Sequence, residues 1–326
     1  MRIKILLFLL LYNFSSNAQL NYIEYHKGVA FAESLILDEK YSEAFFMYDS
    51  LFSIYPKRFS KDLYNATFCA IYAKQYDKAE KHFLELADLG ISKYYFKNKI
   101  FKIIYKEKSR LKLSIEYQKR YKQAYQLRRV DSDVKYIDSL IKEDQKFLFS
   151  RKAYIKYRDT INIIDSLNEI AVLNYIKEKG FPTEKQFLIK KPGRTINFYV
   201  LIRHAYQNKS CKFSEILEQQ VKIGNLHPYI FAELEDKKSS NLKQDIQYGV
   251  LVYFNIQGKL IDFQKDIHRL EALNFNRQSI GLESLEEYKI KLNIKRNLSN
   301  PFFFMNYEGI VNLDGVKLKD FKKYTE

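Results

Sequence analysis

Four polar residues in the C-terminal half of the chain carry side chains suited to joint chemistry: His204, Asp236, Gln247 and Arg277. An imidazole near a carboxylate can act as general acid or base at neutral pH, so the four are candidates for catalytic roles in one cluster. Each also has a plainer structural reading. His204 would then be a core-edge histidine donating one hydrogen bond to a backbone carbonyl. Gln247 with Tyr248 and Gly249 would open a strand, and Arg277 would pair with a carboxylate and tie a helix to a hairpin. No metal centre is expected: no two of the five histidines stand at i, i+3 or i, i+4, the two cysteines form no close pair, and HExxH is absent. A phosphate-cradling glycine loop and a GxSxG elbow are also missing, so no cofactor is expected.

The elements that must position these residues are helices. From Thr195 to Gln207, Phe198, Leu201, Ile202 and Ala205 follow i, i+3, i+4, i+7 and share one buried stripe, with His204 beside it. Thr195 is the expected N-cap. Upstream, Val134 to Lys177 reads as helix, with apolar faces Ile137, Leu140, Ile141 and Phe147, then Ile161, Ile164, Leu167 and Ile170, closed by Gly180-Phe181-Pro182. Ser214 to Ile223 is stopped by Gly224, and Pro228 opens a helix that delivers Asp236 near its end. The β-branched and aromatic run Gln247 to Phe254, the turn Gln257-Gly258-Lys259 and Leu260 to Phe263 predict a hairpin. Leu273 to Ile280 is a helix ending at Gly281, and Ser284 with Glu287 forms a capping box for a last one. The tail from Phe302 to Glu326 has no clear period.

Of 326 residues, 46% are hydrophobic, Trp is absent and Gly and Pro are few, which predicts packed helices in two domains and argues against disorder. Arg2 and Lys4 precede the apolar run Ile5 to Tyr12, and Ser16-Asn17-Ala18 supplies the small residues a signal peptidase reads. A secretory signal cut before Gln19 is expected, the run being short of the roughly 20 residues a membrane anchor needs. The product would be exported, periplasmic or secreted, with no transmembrane segment after cleavage. Cys69 falls in an apolar helix and reads as a small buried hydrophobe; its pairing with Cys211 is left open by the sequence.

After the signal, a helix, a turn at Asp38-Glu39-Lys40 and a second helix run to Pro56. Tyr41, Ala44, Tyr48 and Leu51 then recur 35 places later as Tyr76, Ala79, Phe83 and Leu86. With Gly28, Ala32 and Pro56 at the small and proline positions, Tyr25 to about Gly90 resembles the tetratricopeptide repeat family. Ile91 stands where the second closing proline belongs, and Tyr94 to Tyr125 is a weaker third copy. The resemblance implies antiparallel helix pairs that lean on a neighbouring domain and offer a groove to a protein or peptide ligand.

A second resemblance spans about Asp131 to Leu292, to an uncharacterised bacterial family, the domain of unknown function numbered 6624. It is carried by Asp144-Gln145, Ile164-Asp165 to Asn168, Gly180-Phe181-Pro182, Ile202 to Ala205 with His204, Asp236, Gln247-Tyr248-Gly249, and Arg277 through Gly281-Leu282 to Tyr288. Lys237 after Asp236 and Val250-Leu251 after Gly249 depart from that pattern. The resemblance implies a fold and a set of polar positions, and no reaction.

From Lys93 to Arg129, thirteen Lys or Arg face two Glu, and aromatic residues are interleaved; the whole chain carries a net charge of +16. Such a face suits contact with an anionic surface, while specific nucleic-acid binding is not expected of an exported protein whose lysines outnumber its arginines. The fold expected is mainly α with a small β-hairpin (α+β). A signal at 1–18 precedes a repeat region at 19–130, then come the C-terminal helical domain at 131–292 and a tail at 293–326. The function expected is a protein- or peptide-binding, scaffolding module; the alternative is a hydrolase-like enzyme using His204, Asp236, Gln247 and Arg277.

Overall fold

The computed structural model describes residues 20–92, 110–148, 150–187, 189, 192, 196–207, 210, 212–250, 253–254, 267–295, 302–304 and 311–312. The signal segment, residues 93–109 of the basic stretch, Thr195, Cys211, the second half of the expected hairpin and the end of the tail lie outside these residues. Helices α1 (Tyr22–Leu37), α2 (Tyr41–Ile54), α3 (Ser60–Tyr72) and α4 (Tyr76–Asp88) pack each on the next, and α5 (Arg110–Val130) packs on α4. There follow α6 (Ser132–Asp144), a 3-10 turn at Gln145–Phe147, α7 (Arg151–Lys156), α8 (Arg158–Lys179), α9 (Tyr199–Gln207), α10 (Ser214–Lys222), α11 (Pro228–Asn241), α12 (Ile267–Ser279) and α13 (Leu285–Lys295).

The 35-residue spacing is visible in the turns. Glu39 and Lys74 both adopt a left-handed backbone, φ 60° and 58°. In each turn the next residue's N–H reaches back to the first carbonyl of the motif, Lys40 to Leu35 at 2.9 Å and Gln75 to Ala70 at 2.8 Å. This closing pattern satisfies carbonyls that the helix end would otherwise leave without a donor. Ala44 and Ala79 are fully buried, as are Tyr48 and Phe83 one turn on. At Gly28 a methyl group would stand 2.7 Å from Leu51 Cδ2, so a side chain there would have to displace Leu51 at the α1–α2 contact. Ile91, in place of a proline, is buried and its carbonyl accepts the Tyr117 hydroxyl of α5 at 2.6 Å. Replacing Ala44 or Ala79 with Leu is expected to overpack these crossings and cost about 1 to 3 kcal/mol. Thermal melts of both variants that match the parent would refute that packing.

Helix α3 is buried from Ser60 to Ile71, polar positions included. Part of its cover comes from residues 302–304. The Asn65 side-chain amide donates to the Phe303 carbonyl and accepts the Phe303 N–H, both at 2.9 Å. Phe303 stands edge-on to Tyr64 at 4.6 Å, and Phe302 stacks on Tyr41 at 5.5 Å. The Glu184 carboxylate accepts the Ser60 N–H at 2.8 Å and so caps the N-terminus of α3 from 124 residues away. The buried apolar side chains form one continuous cluster from Tyr22 to Phe304.

Among the described residues the only strand pairing is a two-residue parallel ladder of Tyr253–Phe254 with Val311–Asn312. Residues 247–250 form a bend with Gly249 at φ 64°, so the expected first strand does not start at Gln247. The physical reason is Asp236, which accepts three backbone N–H groups there and turns the chain away from a ladder. On α8 the expected face is also corrected: Leu167 and Ile170 are exposed, and the buried stripe is Ile161, Asp165, Asn168, Val172 and Tyr175. Among the described residues no helix is long and apolar enough to cross a membrane.

Candidate functional site

The structure sorts the four expected residues into two places. Helix α9 packs on α8 and α11 and buries Leu201, Ile202 and Ala205, which leaves His204 at the edge of that contact with its side chain 11% exposed. Its Nδ1 lies 2.9 Å from Asp144 Oδ1, at the last residue of α6, and 3.9 Å from Asp165 Oδ1, in the middle of α8. Both carboxylates are buried. The Gln145 side chain donates to Asp144 Oδ2 at 2.6 Å, and the Asn168 amide points at Asp144 Oδ1 from 3.4 Å. The three helices that carry this cluster pack pairwise on one another.

Asp236 sits elsewhere in its bonding. Its Oδ1 accepts the Gln247 and Tyr248 N–H groups at 2.8 Å each, and its Oδ2 accepts that of Val250 at 2.7 Å. Arg277, fully buried, donates to the carbonyls of Tyr248 at 2.8 Å and Glu283 at 2.7 Å, and lies over the Tyr288 ring. Gln247 turns its own side chain to the Asp245 carbonyl and is exposed. Asp236 and Arg277 therefore hold the 247–250 bend from both sides, one on its N–H groups and one on a carbonyl. Charge-assisted bonds of this kind contribute about 1.5 to 3 kcal/mol each. Asp236→Ala is expected to lower stability by more than 2 kcal/mol on this reasoning; a urea midpoint unchanged from the parent would remove Asp236 from the role.

Asp144, Asp165 and Asn168 were not among the residues singled out for chemistry from the sequence, although they carry part of the second resemblance. A signal for them exists. Asp144 continues the Ile137, Ile141 stripe at i+7, and Asp165 and Asn168 stand four and seven places after Ile161, so all three occupy core-facing positions of helices. A carboxylate on a core stripe is costly unless something pairs it.

A second polar cluster ties α1 and α3 to α12 and α13. Lys61 of α3 pairs with Glu33 of α1 and, at 2.9 Å, with its neighbour Asp62. Lys291 of α13 reaches Glu33 at 2.7 Å and Glu283 at 3.4 Å, and Arg277 lies 3.6 Å from Glu283. Tyr25 donates to Asp62 at 2.8 Å. Burial alone would pull the Lys61 pKa down, but Asp62 and Glu33 override it and hold it above the ordinary lysine value. Asp62 is raised, because for it burial outweighs the attraction of Lys61. Three cations face three carboxylates, a balance that suits a structural clasp.

Between the α2–α3 connection, α5 and residues 180–186 lies a cavity of about 1370 Å³, bordered by Arg58, Arg120, Leu127, Arg128 and Glu184. Its arginines are engaged: Arg58 binds both oxygens of Glu85, Arg120 pairs with Glu116 and Asp88, and Arg128 donates to the carbonyls of Ala124, Asp88 and Lys185. Burial pushes Glu184 up to about 7.

Compared with family models, with curated proteins and with solved structures, the chain matches none.

Proposed function

We propose that this chain is an exported binding module in which a tetratricopeptide-like repeat face recognises an extended, aromatic-rich peptide segment. The sequential packing of the helix pairs supports the repeat reading, and the basic start with its short apolar run supports export. The observation that carries the binding reading is the Asn65 amide, which takes the N–H and the C=O of Phe303 at once, while Tyr64 receives the ring of that residue and Tyr41 the ring of the one before it. That arrangement reads backbone and aromatic side chains together, as peptide-recognising faces do. In this chain the segment it holds is the chain's own Phe302-Phe303, so an outside peptide competes with an occupant at high effective concentration.

The test uses a labelled peptide of residues 300–306. Weakening the resident segment with Phe302→Ala and Phe303→Ala is expected to tighten peptide binding by at least about 10-fold over the parent. Adding Asn65→Ala should remove the gain. Anisotropy that shows no binding to any of the three proteins would end the peptide-binding reading.

A second reading, a hydrolase-like enzyme, keeps support from one place only. His204 stands beside two buried carboxylates, where an imidazole can serve as acid or base. Asp236, Gln247 and Arg277 support this reading less, since their bonds go to the 247–250 bend, to Asp245 or to Glu283.

A further inference from the structure

We propose that Asp144, Asp165 and His204 form a binding site for one divalent transition-metal ion, with zinc the best fit. Each offers one ligand atom, and these atoms all lie within 4.8 Å of one another. Zinc accepts both imidazole nitrogen and carboxylate oxygen, carboxylates also suit manganese, and three protein ligands leave a fourth position open for water. Ligand atoms around a zinc ion sit about 2.0 to 2.2 Å from it and hence roughly 3.3 Å from each other. The present separations of 2.9 Å and 3.9 Å from His204 Nδ1 bracket that value, so small side-chain rotations suffice.

The energetics point the same way. Two carboxylates occupy core-facing positions on α6 and α8, and among the described residues no lysine or arginine pairs with Asp144. In the clasp at Lys61 the buried carboxylates have cations of their own, and Asp236 has three backbone N–H groups. At Asp144 the neighbours are an imidazole and two amides instead. Gln145 and Asn168 donate to Asp144, as the supporting shell of a metal ligand does, fixing its orientation without supplying charge. The ligands come from three helices and are separated by 21 and 39 residues, so no local spacing motif announces them. The partly exposed imidazole gives the cluster its contact with solvent.

The site is tested on the full chain stripped with chelator and titrated calorimetrically with zinc, then with manganese. Saturable binding of one equivalent of zinc is expected, weakened at least about 10-fold by Asp165→Asn and by Asp144→Asn. Both replacements keep side-chain shape, and circular dichroism checks that each variant folds. Zinc should raise the melting temperature of the parent but not of Asp165→Asn, and cobalt substitution should give the visible bands of a low-coordinate nitrogen–oxygen site. His268 and Glu271, an exposed pair on α12, are the control, and His268→Ala should change nothing. The proposal is overturned by no saturable binding up to about 1 mM metal, by binding that survives both Asp replacements, or by binding lost only in His268→Ala.

Discussion

Replacing Lys61 with methionine is expected to cost about 3 to 5 kcal/mol, a large share of the stability of a domain. The substitution keeps length and apolar volume but strips the cation from Glu33 and Asp62, both buried. Glu33 retains Lys291, and Asp62 retains the Tyr25 hydroxyl. Neither replaces what is lost, because a buried carboxylate deprived of its partner keeps the desolvation penalty and loses the attraction that offset it. Removing a cation together with one carboxylate is expected to behave differently. Lys61→Met with Asp62→Asn should recover much of the loss, since Lys291 and Arg277 then face Glu33 and Glu283, two charges against two. Chemical denaturation of the single and double variants checks this. If the single variant unfolds at the parent's midpoint, the clasp contributes nothing to stability.

Acidification from pH 7 to pH 5 is expected to destabilise the protein by several kcal/mol. Three buried histidines drive it. Burial pulls His26 down to about 3 and His82 down to about 4, and it takes His227 well below the ordinary value. His227 Nδ1 accepts the Tyr229 N–H, which requires that ring to be neutral, whereas at His26 burial outweighs the Val221 carbonyl that Nε2 donates to. A group depressed in this way lends stability that is full above its unfolded pKa of about 6.5 and is lost as pH falls toward the folded value. At pH 5 each of the three gives up about 2 kcal/mol. Glu184, raised to about 7, acts in the opposite sense: its folded form binds the proton more tightly, so it returns about 2 kcal/mol over the same interval. Asp62 also opposes the loss. The histidines outnumber these groups, and the net is a loss of about 4 kcal/mol at most. Urea unfolding at the two pH values measures it directly, and equal stabilities would show that the three rings titrate normally.

The helices were legible in the sequence because apolar residues repeat at helical spacing. The stripe of Phe198, Leu201, Ile202 and Ala205 is buried as the spacing requires, and the 35-residue recurrence is realised in two turns of the same left-handed geometry. The α8 face misled because Ile161, Ile164, Leu167 and Ile170 also form a helical series. The core takes the alternative series that contains Asp165 and Asn168, which only their partners on α6 and α9 make tolerable. The bend at 247–250 was hidden for a similar reason. Its β-branched and aromatic residues favour a strand, and a single carboxylate eleven positions earlier decides otherwise by taking three of the N–H groups. Pairings between helices distant in sequence, such as Asp144 with His204, leave no local trace.

The seating of Phe302–Phe304 on α3 also bears on the order in which the molecule can assemble. Asn65 and Phe303 are 238 residues apart, and Glu33 and Lys291 are separated by 258. At about 5 to 20 residues per second, a ribosome needs on the order of 10 to 50 seconds to make the residues that complete a helix begun near the start of the chain. Throughout that interval α3 lacks its covering segment, and the charges of Glu33 lack one of their two cations. Helices α1 and α3 are thus finished by residues 258 and 238 positions further along, and such long-range closure slows folding relative to a repeat array that zips up from one end.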